Sequence, residues 1–241
     1  MAHGLTHRIA SIYVRVLNKL VKISLGGDRR PVFVDAATEL PALKAIDENY
    51  DVIREELMAV LPNRDDIPRY HEFDDAQDYI STKHEGDWRV FYVHMYRAGD
   101  RIPGRQLCPR TAAVIEKIPN VMEAFFSILD PRKVVPKHEG PYVGKLRYHT
   151  AFLVPKVNPP SITVKDRTHT WVEGTSFLFD DSYPHEVANE CDEVRVVLVV
   201  DTLRRLPWPL HLLNLLGRRL AFADKLLEPA LAKLQTLSKK P

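Results

Sequence analysis

The sequence predicts an α+β protein in which a helical N-terminal half precedes a β core. Beyond residue 124 the chain consists of short β-type runs that alternate with Gly- and Pro-containing turn signals. These runs occupy residues 124–129, 143–154, 161–165, 176–179 and 194–200. Regularly spaced short strands with such punctuation are typical of a β-sandwich or a double-stranded β-helix, the jelly roll. We therefore expect a jelly-roll core with an α-helical N-terminal half and amphipathic terminal helices.

The composition is that of an ordinary globular protein. The chain has 241 residues, a net charge of +2, 45% hydrophobic residues and 27% charged residues, and is long enough to bury a substantial core. Its two cysteines, Cys108 and Cys191, exclude a disulfide framework, favour a reducing compartment and are expected to serve packing. No run of about 18 apolar residues predicts a transmembrane helix, and no secretory signal is expected. The near-neutral charge argues against a nucleic-acid partner.

The net charge conceals an uneven distribution along the chain. Residues 1–30 carry six Lys/Arg and one acid, and residues 201–241 carry eight Lys/Arg and three acids, a balance of +5 in each segment. The difference leaves −8 for residues 31–200. We accordingly divide the chain into a basic N-terminal helix (1–30), a single jelly-roll domain with helical support (31–203) and a basic C-terminal helical extension (204–241).

Both basic segments have the periodicity of amphipathic helices. Apolar residues recur at helical spacing over residues 5–20, and Gly26-Gly27 then ends the helix. Residues 210–237 are Leu-rich, with Gly217 and Pro229 as interruptions. Such helices either pack on the outside of the body, dock on an anionic membrane through apolar burial and Lys/Arg attraction, or bind a protein partner. The pattern leaves these alternatives open.

The segments between the N-terminal helix and the β core are mainly helical. Residues 38–60 predict one or two helices, and residues 65–88 are polar and irregular. Residues 90–96 form an aromatic β-type segment, and Pro109 opens a short helix over 109–118.

Histidines concentrate where the β core begins. His138 lies in the segment PKHEGPY at a predicted turn, and His185 lies in DDSYPHEV after a predicted strand and turn. Strand ends that are distant in sequence can meet across a jelly roll, where two imidazoles bind Fe, Zn or Cu. Surface or hydrogen-bonded histidines are the alternative interpretation.

Basic residues nearby favour an anion-binding site. Arg195 follows His185 by ten residues and lies inside the apolar strand VRVVLVV, where a buried cation requires an anionic partner. A guanidinium fork matches a carboxylate, and this order of two histidines and an arginine is typical of jelly-roll iron and 2-oxoglutarate dioxygenases. Arg147 and His149 share one strand face with Lys145, which fits a carboxylate pocket. A structural salt bridge at Arg195 and a solvated outer face around Arg147 are the alternatives.

The third ligand of an iron site is absent from its usual position. A facial triad has a carboxylate two residues after the first histidine, and Gly140 occupies that position here. If iron binds, water or substrate fills the position, or another acid such as Asp180 or Asp181 supplies the ligand.

The segments that carry these residues resemble the aspartyl/asparaginyl β-hydroxylase family over residues 105–203. The similar stretches are FSILDPRKVVPKHEGPYVGKLRYHTAFLVP (126–155), WVEGTSFLFDDSYPHEVANE (171–190) and VRVVLVVD (194–201). The resemblance implies a jelly-roll Fe(II)/2-oxoglutarate dioxygenase in which two histidines bind iron without a carboxylate arm. The iron ligands that it implies are His138 and His185.

The resemblance also assigns the co-substrate pocket. Arg195 and Ser127 would hold the distal carboxylate of 2-oxoglutarate. His149 would lie beside the co-substrate, and Arg147 would reach it or the substrate.

Further motifs resemble the bacterial branch of the family that hydroxylates lipid A or ornithine lipids. They are the segment QLCPRT (106–111), Tyr142 in PYVGKLRYH, and LGR (216–218). The branch that hydroxylates Asp or Asn in peptides has Arg-Leu-Arg where this chain has Lys145-Leu146-Arg147.

We therefore expect hydroxylation of an unactivated C–H bond in a membrane-lipid acyl chain, with Fe(II) as cofactor and 2-oxoglutarate and dioxygen as co-substrates. β-Hydroxylation of Asp or Asn in a peptide is the alternative substrate class. A non-catalytic jelly-roll binding module at a membrane surface is an alternative of another class, and a zinc hydrolase lacks its usual three protein ligands. We expect a cytoplasmic location with peripheral association to the membrane.

Overall fold

The computed structural model of the chain describes residues 2–73, 78–221, 228, 231–233 and 235, without side chains before residue 11 or at residue 221. The described α-helices are α1 (Ala2–Ser24), α2 (Ala36–Glu39), α3 (Lys44–Glu48), α4 (Tyr50–Val60), α5 (Tyr70–Phe73), α6 (Asp78–Thr82), α7 (Pro103–Leu107), α8 (Pro109–Glu116) and α9 (Leu210–Ala221). The strands are β1 (Phe33–Val34), β2 (Trp88–Met95), β3 (Val121–Leu129), β4 (Val134–His138), β5 (Lys145–Leu153), β6 (Ser161–Val164), β7 (Arg167–Thr170), β8 (Ser176–Phe179), β9 (His185–Ala188) and β10 (Arg195–Leu203).

The strands form two antiparallel sheets. The larger sheet has the order β1-β8-β5-β10-β3-β2, and the smaller has the order β4-β9-β6-β7. One hydrophobic cluster joins them, with Phe125 and Val197 from the larger sheet and Val135, Ile162 and Val187 from the smaller. Two antiparallel sheets packed around a shared core, with chain connections that cross between them, form the expected double-stranded β-helix.

Helices cover the outer face of the larger sheet. Ile53 and Leu57 of α4 and Ile115 of α8 pack in one cluster with Phe126 of β3 and Phe152 of β5. Because both faces of the larger sheet are covered, its central strand β10 is buried along all nine residues. The helical N-terminal half therefore supports the larger sheet.

The two terminal helices pack on each other and on the loop between β4 and β5. Leu17 and Val21 of α1 share a hydrophobic cluster with Tyr142, Val143 and Leu203. Among the described residues no helix has both the length and the apolar character that crossing a bilayer requires.

Most predicted strands are confirmed, and the differences lie where the sequence is polar. Strands β2, β3, β5, β6, β8 and β10 match predicted segments, and α8 matches the predicted helix at 109–118. Strands β4, β7 and β9 were not predicted, because each is short and rich in polar residues or interrupted by proline. Residues 38–60 are divided among three short helices, and the segment 65–88 contains α5 and α6.

The expected interruption at Gly217 is wrong, because α9 continues through it. A Cβ at this position would lie 3.0 Å from Tyr142 Oη and 3.2 Å from Tyr13 Cε1. Gly217 therefore permits the close approach of α9 to α1 and the β4–β5 loop. Pro229 and Leu237 lie outside the described residues.

Candidate active site

His138 and His185 lie side by side on the smaller sheet. His138 is the last residue of β4, His185 is the first residue of β9, and the two are register partners in the antiparallel ladder. Their ring centroids are 4.2 Å apart. The expectation that His138 lies at a turn is thus wrong in detail, whereas His185 follows a strand and a turn as expected. The expectation that the fold brings them together is correct.

Hydrogen bonds orient both imidazoles in the same way. Nδ1 of His138 lies 2.8 Å from the carbonyl oxygen of Pro136, and Nδ1 of His185 lies 2.9 Å from that of Tyr183. Because a carbonyl only accepts, each Nδ1 carries the proton, and each Nε2 keeps its lone pair for a metal. Burial, followed by the neighbouring His138, lowers the pKa of His185 to about 4, and burial also lowers the pKa of His138. Both rings are therefore neutral at physiological pH, as metal binding requires.

Asp181 occupies the space that a side chain at position 140, the position of the third ligand in a facial triad, would fill. A Cβ on Gly140 would lie 2.5 Å from Asp181 Oδ2, so no larger residue fits at position 140 without displacement. Asp180, the other acid considered, is 3.0 Å from Arg30 and 2.7 Å from Arg204. Within the described part of the chain, no three His, Cys, Asp or Glu side chains are grouped to hold a metal ion. The metal-binding potential of the site thus rests on two imidazoles.

Arg195 is buried at the start of β10 without a carboxylate partner among the described residues. Its Nη1 donates to the carbonyl oxygen and to Oγ of Ser127, both at 3.3 Å, and its Nε has no partner. Its guanidinium lies over the Trp171 ring at 4.9 Å. Burial lowers the pKa of Arg195 to about 9. A guanidinium in this environment is suited to an anion that brings its own charge.

Other unpartnered polar atoms surround Arg195. Nδ1 of His149 and Nε1 of Trp171 are buried without hydrogen bonds, and the two rings stack with centroids 5.9 Å apart. Burial and the nearby cations hold the pKa of His149 well below its usual value. Ser127 Oγ accepts a hydrogen bond of 2.9 Å from Trp88 Nε1. Ser127, His149 and Arg195, all predicted from the sequence, therefore lie in one buried polar cluster with unused hydrogen-bonding capacity.

Arg147 is placed near the site but already has a carboxylate partner. Its Nε and Nη2 each donate to a carboxylate oxygen of Asp201 at 2.7 Å. Lys145 also pairs with Asp201, and its Nζ lies 2.8 Å from Asp181 Oδ2. Both basic residues of this strand face are thus neutralised by acids of the chain itself. Arg147 helps to line the cavity, but its fork is occupied by Asp201.

A cavity of about 370 Å³ adjoins the histidine pair. The polar part of its lining contains His138, His185, Glu123, Lys145, Arg147 and Asp181. The apolar part contains Val14, Ile80, Trp88, Met122 and Tyr142. Val14 belongs to α1 and Gly217, which also lines the cavity, belongs to α9, so both terminal helices contribute to its wall.

Sequence reasoning missed Asp201, Trp171 and Glu123. Asp201 lies on the same strand as Arg195 and six residues later, so the alternation of β10 places both on one face. That spacing could have identified it. Glu123 is an acid inside the apolar run VMEAFF (121–126), so the reasoning that identified Arg195 could also have found it, whereas nothing in the local sequence distinguishes Trp171 from an ordinary core residue.

The fold and the site define a jelly-roll protein with an imidazole pair suited to a metal ion and a buried guanidinium that has no acidic partner among the described residues. The chain belongs to the aspartyl/asparaginyl β-hydroxylase family, whose model matches residues 47–205. It is 36% identical over 188 residues to the ornithine lipid ester-linked acyl 2-hydroxylase of Rhizobium tropici, and the alignment covers 76% of this chain and 64% of that protein. It is 30% identical over 172 residues to the human aspartyl/asparaginyl β-hydroxylase, and this alignment covers 68% of this chain and 21% of that protein.

The chain therefore spans less than two thirds of the length of each of these relatives. Among solved structures, a cupin-like protein from Thermotoga maritima aligns with a TM-score of 0.35 and 10% identity, over 51% of this chain and 74% of that one.

Proposed function

We propose that this protein hydroxylates an acyl chain of a membrane lipid in a reaction that depends on Fe(II) and 2-oxoglutarate. The observation that carries the proposal is the combination of two neutral imidazoles with free Nε2 atoms and a buried guanidinium without an acidic partner in the described structure. A metal fits the first feature and a dicarboxylate fits the second.

His138 and His185 would hold the iron, which with 2-oxoglutarate and dioxygen would supply the oxidative chemistry: one oxygen atom would enter the substrate as hydroxyl and the other would enter succinate, with release of CO2. The remaining coordination positions are left to ligands from outside the chain, because Asp181 is directed to Lys145 and Arg147.

The chain's own contribution is to bind and orient the reactants. Arg195 and Ser127 present donors for the distal carboxylate of the keto acid, and the ring of Trp171 shields that ion pair from water. A buried bidentate pair of this kind is strong because no solvent competes for the fork. His149 has an unused Nδ1 with which to orient the same ligand.

The cavity favours an apolar substrate over an acidic side chain. Lys145 and Arg147, the bases on the β5 face that lines the cavity, are already paired with Asp201 and Asp181. A substrate aspartate would meet no uncompensated cation there. An acyl chain, in contrast, would contact Val14, Ile80 and Met122. The name of the Rhizobium tropici relative points to the same substrate class.

The test is turnover of 2-oxoglutarate to succinate by the purified protein with Fe(II) and ascorbate. Phospholipid or aminolipid extracts and Asp/Asn-containing peptides are supplied in parallel, and products are inspected by mass spectrometry for a gain of one oxygen. We expect lipid-stimulated turnover that is lost in His185→Ala and in Arg195→Met. Stimulation by peptides alone would shift the assignment to side-chain hydroxylation. Turnover no higher than that of His185→Ala with either class would refute the enzymatic proposal.

We also propose that the protein acts at the cytoplasmic face of a membrane, as a peripheral protein. Two free buried thiols, Cys108 and Cys191, are compatible with a reducing compartment, and the basic terminal segments favour an anionic surface. Fractionation of cells followed by high-salt washing of membranes tests this proposal, because a peripheral protein is released by the wash.

A further inference from the structure

Exposed apolar side chains are concentrated on the two terminal helices. Thirteen large hydrophobic side chains are exposed in the described part of the chain. Eight of them lie on α1, on α9 or just before α9, and we call them the apolar stripe: Ile12, Val16, Leu20, Ile23, Trp208, Leu212, Leu216 and Leu220. The remaining five are scattered over the body. Contiguous exposed apolar surface of this kind marks a contact surface.

The stripe follows the line along which the two helices meet. On α1 the exposed positions recur every four residues from Ile12, and on α9 they recur every four residues from Leu212. Tyr13 directly follows Ile12, and Leu213 directly follows Leu212. Tyr13 Oη donates a hydrogen bond of 2.6 Å to the carbonyl oxygen of Leu213. Because consecutive helical residues are about 100° apart, each half of the stripe borders the seam between the helices. The stripe therefore consists of one apolar row on each of two helices that pack on each other.

Basic side chains border the apolar stripe. Arg15 and Lys19 of α1 and Arg219 of α9 are exposed. Seven residues correspond to nearly two helical turns, so Lys19 lies within about 20° of Ile12 around α1. A helix surface with apolar side chains beside Lys and Arg is suited to the boundary between the acyl chains and the anionic headgroups of a bilayer. Trp208, with 75% of its surface exposed, is of the residue type enriched at that boundary.

Other faces of the same helix pair line the cavity that contains the imidazole pair. Val14 of α1 and Gly217 of α9 contribute to the wall of the cavity that contains His138 and His185. A surface that rests on the stripe is therefore separated from the cavity by the thickness of one helix layer.

We infer that the apolar stripe and its flanking bases form a docking surface for an anionic lipid bilayer, which presents acyl chains to the cavity behind α1 and α9. The role assigned to the cavity rests on the proposed function, whereas docking itself does not. A bilayer fits better than a second copy of the chain, because a symmetric pairing of two stripes would bring Arg15 and Lys19 of both copies together.

The experiment measures binding of the full chain to vesicles of phosphatidylcholine alone or of equal parts phosphatidylcholine and phosphatidylglycerol. The stripe variant carries Val16→Gln, Leu212→Gln and Leu216→Gln, all at exposed helical positions where Gln is compatible with folding. Its matched control carries Met58→Gln, Leu107→Gln and Val157→Gln, which remove exposed apolar side chains elsewhere. We expect the stripe variant to lose at least tenfold in affinity for the mixed vesicles, and the control to bind like the wild type.

Charge is tested separately. Arg15→Gln with Lys19→Gln removes two cations beside the stripe, and Lys117→Gln with Arg167→Gln makes the same change at exposed sites on the body. Each lost cation is expected to weaken binding on the order of fivefold at an anionic surface. Added salt is expected to reduce wild-type binding and to have little further effect on the stripe-charge variant.

A spectroscopic signal reports the orientation of the bound protein. Trp88 and Trp171 are buried, so Trp208 dominates any change of tryptophan emission on binding. We expect a blue shift with mixed vesicles that is lost in Trp208→Phe. Equal binding by the stripe variant and its control, or no binding by the wild type, would overturn the inference. Self-association in the absence of lipid that the stripe variant abolishes would assign the surface to a second copy instead.

These readouts do not depend on catalysis. A protein that binds vesicles through the stripe but does not turn over 2-oxoglutarate would refute the proposed function and leave docking intact. Turnover on detergent-dispersed lipid without vesicle binding would refute docking and leave the proposed function intact.

Discussion

Replacing Arg195 by Met is expected to stabilise the protein without co-substrate and to abolish stabilisation by 2-oxoglutarate. Burial lowers the pKa of Arg195 from 12.5 to about 9. Since a guanidinium remains protonated in proteins and each pKa unit corresponds to about 1.4 kcal/mol, keeping this charge buried costs on the order of 5 kcal/mol. Two hydrogen bonds to Ser127 at 3.3 Å offset part of that cost, each by about 1 kcal/mol. The balance predicts that Arg195→Met raises the free energy of unfolding by about 1–4 kcal/mol.

The assay is thermal unfolding with and without 2-oxoglutarate in a chelating buffer. The gain corresponds to a Tm higher by about 2–4 °C per kcal/mol for a domain of this size. Wild-type protein should gain about 3 kcal/mol from 2-oxoglutarate at a hundredfold excess over Kd, and the variant should gain nothing.

Arg30→Met is the matched control, because Arg30 is equally buried but lies 3.0 Å from Asp180, so its loss should destabilise. If Arg195→Met lowers Tm without ligand, or if 2-oxoglutarate stabilises it as it does the wild type, the description of Arg195 as an uncompensated cation is wrong.

Three further predictions concern acids and a glycine at the cavity. Burial and the Asp201 charge raise the pKa of Glu123 from 4.5 to about 7, so at this site the folded state binds more protons between these values, and the contribution of Glu123 to stability should fall as pH rises from about 4.5 to 7. The buried histidines, whose pKa values are lowered, act in the opposite direction in both proteins, so the measurement is the difference in urea unfolding between the wild type and Glu123→Gln, and the wild type should lose on the order of 1 kcal/mol or more relative to the variant over this range. Gly140→Ala should lower the free energy of unfolding by about 1–3 kcal/mol, because its Cβ would lie 2.5 Å from Asp181 Oδ2; wild-type stability would show that the Asp181 side chain is free to move. Asp201→Asn should cost about 3–5 kcal/mol in the same assay, because two buried cations of β5 lose their shared carboxylate; a loss below about 1 kcal/mol would mean that Asp181 alone neutralises them.

The strands of the larger sheet could be predicted because each one is an apolar run. Strand β10, for example, has five apolar residues between Arg195 and Asp201, with Thr202 and Leu203 following. Strands β4 and β9 could not be predicted in this way, since they are four or five residues long and contain Pro136 and two histidines. Their ladder depends on pairing between segments that are separated in the chain by β5, β6, β7 and β8, which no local pattern encodes.

The candidate site shows the same division between local and long-range information. Arg195 could be identified because an arginine inside an apolar strand is conspicuous. The pairing of Arg147 with Asp201 could not be identified, because it depends on the register that places the two opposite each other, although the spacing from Arg195 puts Asp201 on the same face of β10. The expectation that Arg147 contacts co-substrate or substrate therefore remains a prediction, and a contact would compete with an existing bidentate ion pair.

The positions of the two halves of the site in the sheets imply different opening behaviour. Arg195 and Asp201 lie on the central, fully buried strand β10, whose amides should exchange with solvent only through global unfolding. His138 lies on β4, the edge strand of the smaller sheet, which can separate from β9 in a local fluctuation. Hydrogen exchange should therefore be slow around Arg195 and faster around the imidazole pair. The surroundings of Arg195 would then persist through fluctuations that transiently expose the imidazole pair, so metal exchange need not require unfolding of the protein.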